Sequence, residues 1–258
     1  MKICMLGSGS SGNSFLIWTN RAKILIDAGL SMRQISMRLE SVGVAIEDIE
    51  ALFITHEHTD HVRGSGTVAR RLGIPVFLTE RTCEACNSTF ENLPSLEIFV
   101  SGDIVCFKDL QIVSYSVSHD AADPVNFLFC HKHYKVGMAV DLGYPSRLVK
   151  ERLRQCDALI LETNHDREML MNGKYPWQLK QRIMSRRGHL SNEQSVAVLN
   201  EVAHQELRAV FLAHISQENN CPQIVHSLFE GVLERTGLNH VPLFVTSQDE
   251  PTEVFEMP

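Results

Sequence analysis

Thr55-His56-Glu57-His58-Thr59-Asp60-His61 decides how this chain is read. The stretch has the form H-x-H-x-D-H, so four side chains able to ligate a metal fall within six residues, 56 to 61. A strand sends alternate side chains to opposite faces and a helix turns them around its axis, so neither can aim all four one way. A tight loop wrapping two adjacent ions can. Imidazole nitrogen with carboxylate oxygen suits zinc, manganese or iron(II), and the absence of a nearby thiolate is unlike a structural zinc site. The bland alternative is a polar surface loop. Its position argues against that, because Ala51-Leu52-Phe53-Ile54 in front reads as a buried strand and the stretch 62–72 behind reads as a helix.

Further along, other buried runs end in the same way. Ala158-Leu159-Ile160-Leu161 ends at Glu162, Ala209-Val210-Phe211-Leu212-Ala213 at His214, and Gly137-Met138-Ala139-Val140 at Asp141. Strand tips carrying His, Glu and Asp predict one shared site at one edge of the sheets. Ile24-Leu25-Ile26-Asp27-Ala28-Gly29 also echoes Met138-Ala139-Val140-Asp141-Leu142-Gly143, a weak hint of an internal two-fold. The N-terminal half reads as a strand-rich meander with a helix over 31–41 capped by Ser31. The C-terminal half alternates, with helices over 147–154, 192–203 and 222–236.

The chain has 258 residues, 44% of them hydrophobic and 21% charged, which is ordinary for a globular protein and excludes wholesale disorder. No linker divides it, so one domain over 1–258 is expected. Apolar runs fall well short of the roughly 20 residues that span a bilayer. The start, Met1-Lys2-Ile3-Cys4-Met5-Leu6, does not read as a signal peptide. Seven scattered cysteines read as reduced thiols, with Cys83 and Cys86 as packing, and the expected location is the cytoplasm, away from membranes. The net charge of −7 argues against a surface that grips nucleic acid everywhere, but not against a local basic patch. The tail Gln248–Pro258, with four acidic residues, reads as solvated.

With this motif the chain resembles the metallo-β-lactamase superfamily. The resemblance implies an α/β fold, the four-layer αββα sandwich, and two divalent ions, zinc or manganese with iron possible. It also implies their ligands. His56, His58 and His119 would hold one ion, Asp60, His61 and His214 the other, and Asp141 would bridge. The β-lactamases of the superfamily typically carry Cys where this chain has Asp141, which points to phosphodiesters and thioesters instead. Two ions sharing a carboxylate can clamp the attacking and leaving oxygens of a phosphoryl transfer.

Three features bear on the substrate. The loop Gly7-Ser8-Gly9-Ser10-Ser11-Gly12-Asn13-Ser14 reads as an anion cradle through its N–H groups and through Ser8, Ser10, Ser11 and Asn13, or equally as a plain hairpin turn. The loops Glu162-Thr163-Asn164-His165-Asp166 and Gly188-His189-Leu190-Ser191-Asn192 are similar to those of the tRNA 3′-processing nucleases of the superfamily. There a Glu and a His form a proton relay, and Glu162 and His189 match them. A carboxylate beside an imidazole orients it and raises its pKa, so that it can protonate a leaving oxygen. Asn164, His165, Ser191 and Asn192 are candidate substrate contacts, with His165 equally readable as the start of a helix. Finally, Lys174–Arg187 carries five basic residues and no acidic one, with Tyr175 and Trp177 interleaved. It reads as a phosphate-tracking wall or as a solvated helix face.

Taken together, SGSSGN, HEHTDH, SHDA, VDLG, ETNHD and GHLSN closely resemble the compact bacterial exonuclease-like group of the superfamily, the YycJ/WalJ type. The resemblance implies a metal-dependent 5′→3′ exonuclease acting on DNA. A hydroxide between the two ions would attack phosphorus, steered by Asp60, while His189, oriented by Glu162, protonates the departing oxygen. Rival readings are a small-molecule phosphodiesterase or thioesterase of the same fold, and a non-catalytic metal-binding regulator.

Overall fold

A computed structural model describes residues 1–257, with residues 87 and 88 by backbone only. By internal contacts it divides into two compact units. The first comprises Met1–Ser114, Ala121–Val125 and the segment from Ser247 on, and the second Tyr115–Asp120 with Asn126–Thr246.

The first unit opens with β1 (Lys2–Gly7), β2 (Ser14–Trp18) and β3 (Lys23–Ile26), the expected antiparallel meander. Helix α1 (Met32–Ser41) follows, with Ser31 and Gln34 bonding reciprocally at its start. Then come β4 (Ala51–Phe53), α2 (Thr59–Val62), α3 (Ser65–Leu72), β5 (Pro75–Thr79), α4 (Glu80–Ala85) and β6 (Ser95–Phe99). The helix expected over 62–72 starts at Ser65 as α3, which packs on the sheet, and the short α2 before it closes the H-x-H-x-D-H loop. β3, β4, β5 and β6 run parallel, and a short strand, Phe255–Glu256, pairs with β1 at the far edge. Ile35 and Leu39 of α1 and Val68 and Ala69 of α3 close over Leu16, Leu25, Leu52 and Ile54 in one core. Each fully buried side chain of this size contributes about 2 kcal/mol. β7 (Ile104–Phe107) and β8 (Leu110–Ser116) form an antiparallel hairpin.

The second unit is built on β9 (Val125–His131), β10 (Tyr134–Ala139), α5 (Arg147–Leu153), β11 (Ala158–Glu162), α6 (Arg167–Asn172), α7 (Trp177–Ile183), α8 (Asn192–Val202), β12 (Ala209–Ala213), α9 (Pro222–Thr236) and β13 (Leu243–Val245). β9 and β10 are antiparallel, and β10 to β13 run parallel. Register fixes what matters for function. Ala139 pairs with Leu161 and Glu162 with Ala213, so β10, β11 and β12 end level. Asp141, Glu162 and His214 therefore leave the carboxyl ends of adjacent parallel strands, where open α/β sheets bind ligands.

The tail is exposed at its four acidic residues, Asp249, Glu250, Glu253 and Glu256, as expected, but it is also tied down. Met257 is buried, and the Ser247 carbonyl accepts from Ser8 N at 3.0 Å. Thr252 Oγ1 takes the Met5 N–H at 3.1 Å. Pro258 lies outside the described residues. Among the described residues no helix is long and apolar enough to cross a membrane.

Candidate functional site

In the first unit the H-x-H-x-D-H loop leaves β4 and closes into α2. Its seat is the turn after β3. Ala28 N donates to His61 O at 2.8 Å, and Asn13 N donates to Asp60 O at 2.7 Å. Gly29 lies directly under that carbonyl, where a Cβ would come within 1.6 Å of Asp60 O, so only glycine fits. His56 turns Nδ1 to Thr55 Oγ1 at 3.0 Å and brings Nε2 to 3.1 Å from His58 Nδ1. Two ring nitrogens converging in this way have the donor chemistry of a divalent transition-metal site.

His61 is oriented from behind by Asp27. Its Nδ1 lies 2.7 Å from Asp27 Oδ2, and the same carboxylate accepts from Thr55 N at 2.9 Å and Thr55 Oγ1 at 2.8 Å. A carboxylate on the far nitrogen fixes the tautomer of a ligand imidazole and raises its basicity. Asp27 is fully buried. Burial pushes its pKa up, opposed by the charge and hydrogen bond of His61 and by Thr55. Residue composition alone gave no role to Asp27; its one signal was the echo with Asp141.

Most backbone N–H groups of the Gly/Ser loop are taken within the protein. The Gly9 N–H goes to Asn13 Oδ1, Ser11 N–H to Gln248 Oε1, and Gly12 N–H to Gly9 O. Ser8 and Asn13 are buried, and Asn13 Nδ2 reaches Asp60 Oδ2 at 3.3 Å and His61 Nε2 at 3.1 Å. The loop thus positions Asp60 and His61, while Ser10 and Ser11 are exposed.

In the second unit Asp141, Glu162, His189 and His214 bring one ligand atom each within 4.8 Å of one another, a group able to hold a metal ion. His189 Nδ1 lies 2.6 Å from Glu162 Oε1, and His214 Nδ1 lies 3.0 Å from Asp141 Oδ1 and 3.2 Å from Glu162 Oε1. Glu162 is fully buried, and its other oxygen accepts from Leu142 N at 2.9 Å and Leu190 N at 3.2 Å. Burial alone would raise its pKa. The charge and hydrogen bond of His189, helped by His214, outweigh burial and hold it below the usual carboxylate range. His119 is buried and places Nδ1 3.0 Å from Gly188 O, which leaves Nε2 as the nitrogen able to ligate an ion.

The flanking polar residues are mostly interior. Asn164 Nδ2 reaches His214 O at 3.0 Å, and Asn192 exchanges amide hydrogen bonds with Asn220. Ser191 caps α8, its Oγ accepting from Gln194 N at 3.3 Å. His165 is 1% exposed, and burial pushes its pKa down to about 4.

The basic stretch 174–187 is sorted by its surroundings. Lys180 is buried and its ammonium donates to the carbonyls of Met171 and Gly173 at 2.7 and 2.8 Å. Arg182 pairs with Asp120 at 2.5 Å, and Arg187 Nε donates to His119 O at 3.2 Å. Lys174 is almost fully exposed, and Arg186 lies over the ring of Tyr144.

Residues 22–215 match the beta-lactamase superfamily domain, so the chain belongs to that superfamily and has its α/β metallo-β-lactamase fold. Members of this family typically bind divalent metals, which agrees with the donor groups described. The chain is 35% identical over 249 residues to exodeoxyribonuclease YycJ of Bacillus anthracis, covering 96% of this chain and 94% of the relative. It is 36% identical over 263 residues to exodeoxyribonuclease WalJ of Streptococcus pneumoniae, covering 99% and 98%. Human tRNase Z, short form, shares the fold with a TM-score of 0.69 at 14% identity, over 100% of both chains.

Proposed function

We propose that the chain is a divalent-metal-dependent exodeoxyribonuclease of the cytoplasm, acting as a single hydrolase domain over residues 1–258 and degrading DNA 5′→3′. One observation carries the reading: His189 Nδ1 is held 2.6 Å from the fully buried Glu162, so Nε2 is the end that can carry a proton to a leaving oxygen. Full-length similarity to two exodeoxyribonucleases supports DNA as the substrate.

His56, His58 and His119 would hold one ion and Asp60, His61 and His214 the second, with Asp141 shared, and zinc or manganese suits these donors. When bound, the ions supply Lewis acidity toward a phosphoryl oxygen and lower the pKa of water. The protein's own groups move the protons. Asp60, with its side chain 24% exposed, accepts the proton of the attacking water. As the P–O bond to the leaving strand breaks, His189 gives its Nε2 proton to the departing oxygen, and Glu162 compensates the imidazolium charge. Ser10 and Ser11 touch the substrate, while Ser8, Asn13, Asn164, His165, Ser191 and Asn192 hold the loops that carry the reacting groups.

The test is a panel of end-labelled single- and double-stranded DNA and RNA, with manganese, zinc or chelator, resolved on a gel. DNA shortened from its 5′ end only when metal is present is the expected result. A small phosphodiester cleaved as fast as any oligonucleotide would make the chain a small-molecule phosphodiesterase. Metal uptake with no turnover of either would make it a regulator.

A further inference from the structure

The loop after Asp141 carries Tyr144, and two other loops lock its backbone. Gly143 N donates to Ser118 O at 2.9 Å, and Ser118 Oγ donates to Arg186 O at 2.7 Å. A Cβ on Gly143 would lie 2.2 Å from Ser185 O and 2.5 Å from Gly188 N, so the 141–144 and 185–188 loops touch backbone to backbone. Tyr144 and Arg186 are thus held at fixed places three residues from Asp141 and from His189. The Arg186 guanidinium carbon lies 4.1 Å from the centroid of the Tyr144 ring, close enough for cation–π attraction. Even so, Tyr144 remains 42% exposed.

Arg186 also differs from its neighbours in charge. Lys180 is buried on carbonyls, Arg182 is paired with Asp120, and Arg187 is bonded to the His119 carbonyl. Among the described residues the guanidinium of Arg186 has no carboxylate partner, only the ring. A partly exposed aromatic ring with an uncompensated guanidinium over one face matches what unpaired nucleotides bind. The base stacks on the ring and the phosphate meets the cation, and every base has a π-face, so the contact tolerates sequence.

We propose that Tyr144 and Arg186 form the platform that takes an unpaired terminal nucleotide of the DNA, stacking its base on the ring and its phosphate on the guanidinium. The proposal rests on the nuclease reading and deepens it: the preferred substrate is a single-stranded or frayed end, because an unpaired nucleotide is free to bring its base to the ring and its phosphate to the guanidinium together, while an interior base of a duplex has both faces covered.

The full-length protein is tested in two ways. Metal-free protein is titrated against a single-stranded oligonucleotide with 2-aminopurine at its terminus, whose emission is quenched by stacking. Wild type and Tyr144→Phe quench it, Tyr144→Ala does not, and Arg186→Gln binds about tenfold more weakly. With metal, Tyr144→Ala raises KM for a single-stranded oligonucleotide about tenfold and leaves kcat and the hydrolysis of bis(p-nitrophenyl) phosphate unchanged. An unchanged KM and unchanged quenching in Tyr144→Ala would overturn the platform while leaving the nuclease reading standing. Equal losses on the small ester and the oligonucleotide would show a structural role for Tyr144 and overturn it as well. Hydrolysis of the small ester by wild type, with no cleavage of any oligonucleotide, would overturn the nuclease reading and the platform with it.

Discussion

Asp27 in the first unit and Asp141 in the second are built alike and used differently. Each follows the last residues of a strand, β3 or β10, in the related runs Ile-Leu-Ile-Asp-Ala-Gly and Met-Ala-Val-Asp-Leu-Gly. Each adopts a left-handed backbone, φ 58° and 55°, which Asp tolerates better than most residues with a Cβ. Each offers its carboxylate to an imidazole Nδ1, of His61 at 2.7 Å and of His214 at 3.0 Å. Two residues on, a glycine sits under another backbone, Gly29 under Asp60 and Gly143 under Ser185. The surroundings separate them. Asp27 is enclosed, with Thr55 giving it two hydrogen bonds, and serves to aim His61. Asp141 stands beside a second carboxylate and a second imidazole, Glu162 and His189, in a group that can take a cation. One strand-end turn thus supports two roles, and what is packed around the carboxylate selects between them.

The largest effect should come from Asp141→Ala. On the proposed two-ion arrangement, in which Asp141 is shared, its removal is expected to cost about one ion, read by elemental analysis of the purified protein, and to bring turnover below detection. A fully loaded, active Asp141→Ala protein would erase the distinction between the two aspartates. Next comes His189→Ala, which divides the second unit's group into residues that hold metal and one that moves a proton. Turnover should fall by about 10²- to 10⁴-fold with metal content intact. Loss of metal in this variant would place His189 among the ligands instead.

The same comparison shows what the amino-acid sequence carried. The ligand loop and the tips of β10, β11 and β12 were legible because each apolar run ends in a polar residue of the right chemistry, and parallel register then sets those ends level. Asp27 was legible as an echo but not as a partner of His61, because the pairing spans 34 residues and depends on a backbone angle that no local pattern encodes. The Gly/Ser loop stayed open between two readings for a related reason. The groups that occupy its N–H donors and hold it in place include Ser247 and Gln248, more than two hundred residues away. Lys180 looked like part of a basic wall, yet the carbonyls at the end of α6 take its ammonium out of solvent.

The smallest effect, and the sharpest test of the comparison, is Asp27→Asn. The amide is almost isosteric and its oxygen keeps the bond from Thr55 N, while the Thr55 hydroxyl, which donates to the oxygen that faces His61, must turn to accept from the amide nitrogen instead, so the melting temperature should fall only slightly. What changes is the nitrogen facing His61 Nδ1. The carboxylate accepts a hydrogen bond from Nδ1–H and leaves Nε2 with its lone pair; an amide N–H in the same place would require Nδ1 to be the acceptor and move the ring proton to Nε2. The ligand is then aimed correctly in the wrong tautomer. Outer carboxylates of this kind are worth about 10- to 100-fold in metal affinity or activity, so a loss in that range is expected, measured by chelator competition. A loss as complete as that of Asp141→Ala would mean that Asp27 holds metal itself. No loss at all would mean that the turn after β3 shares the shape of the turn after β10 and none of its function.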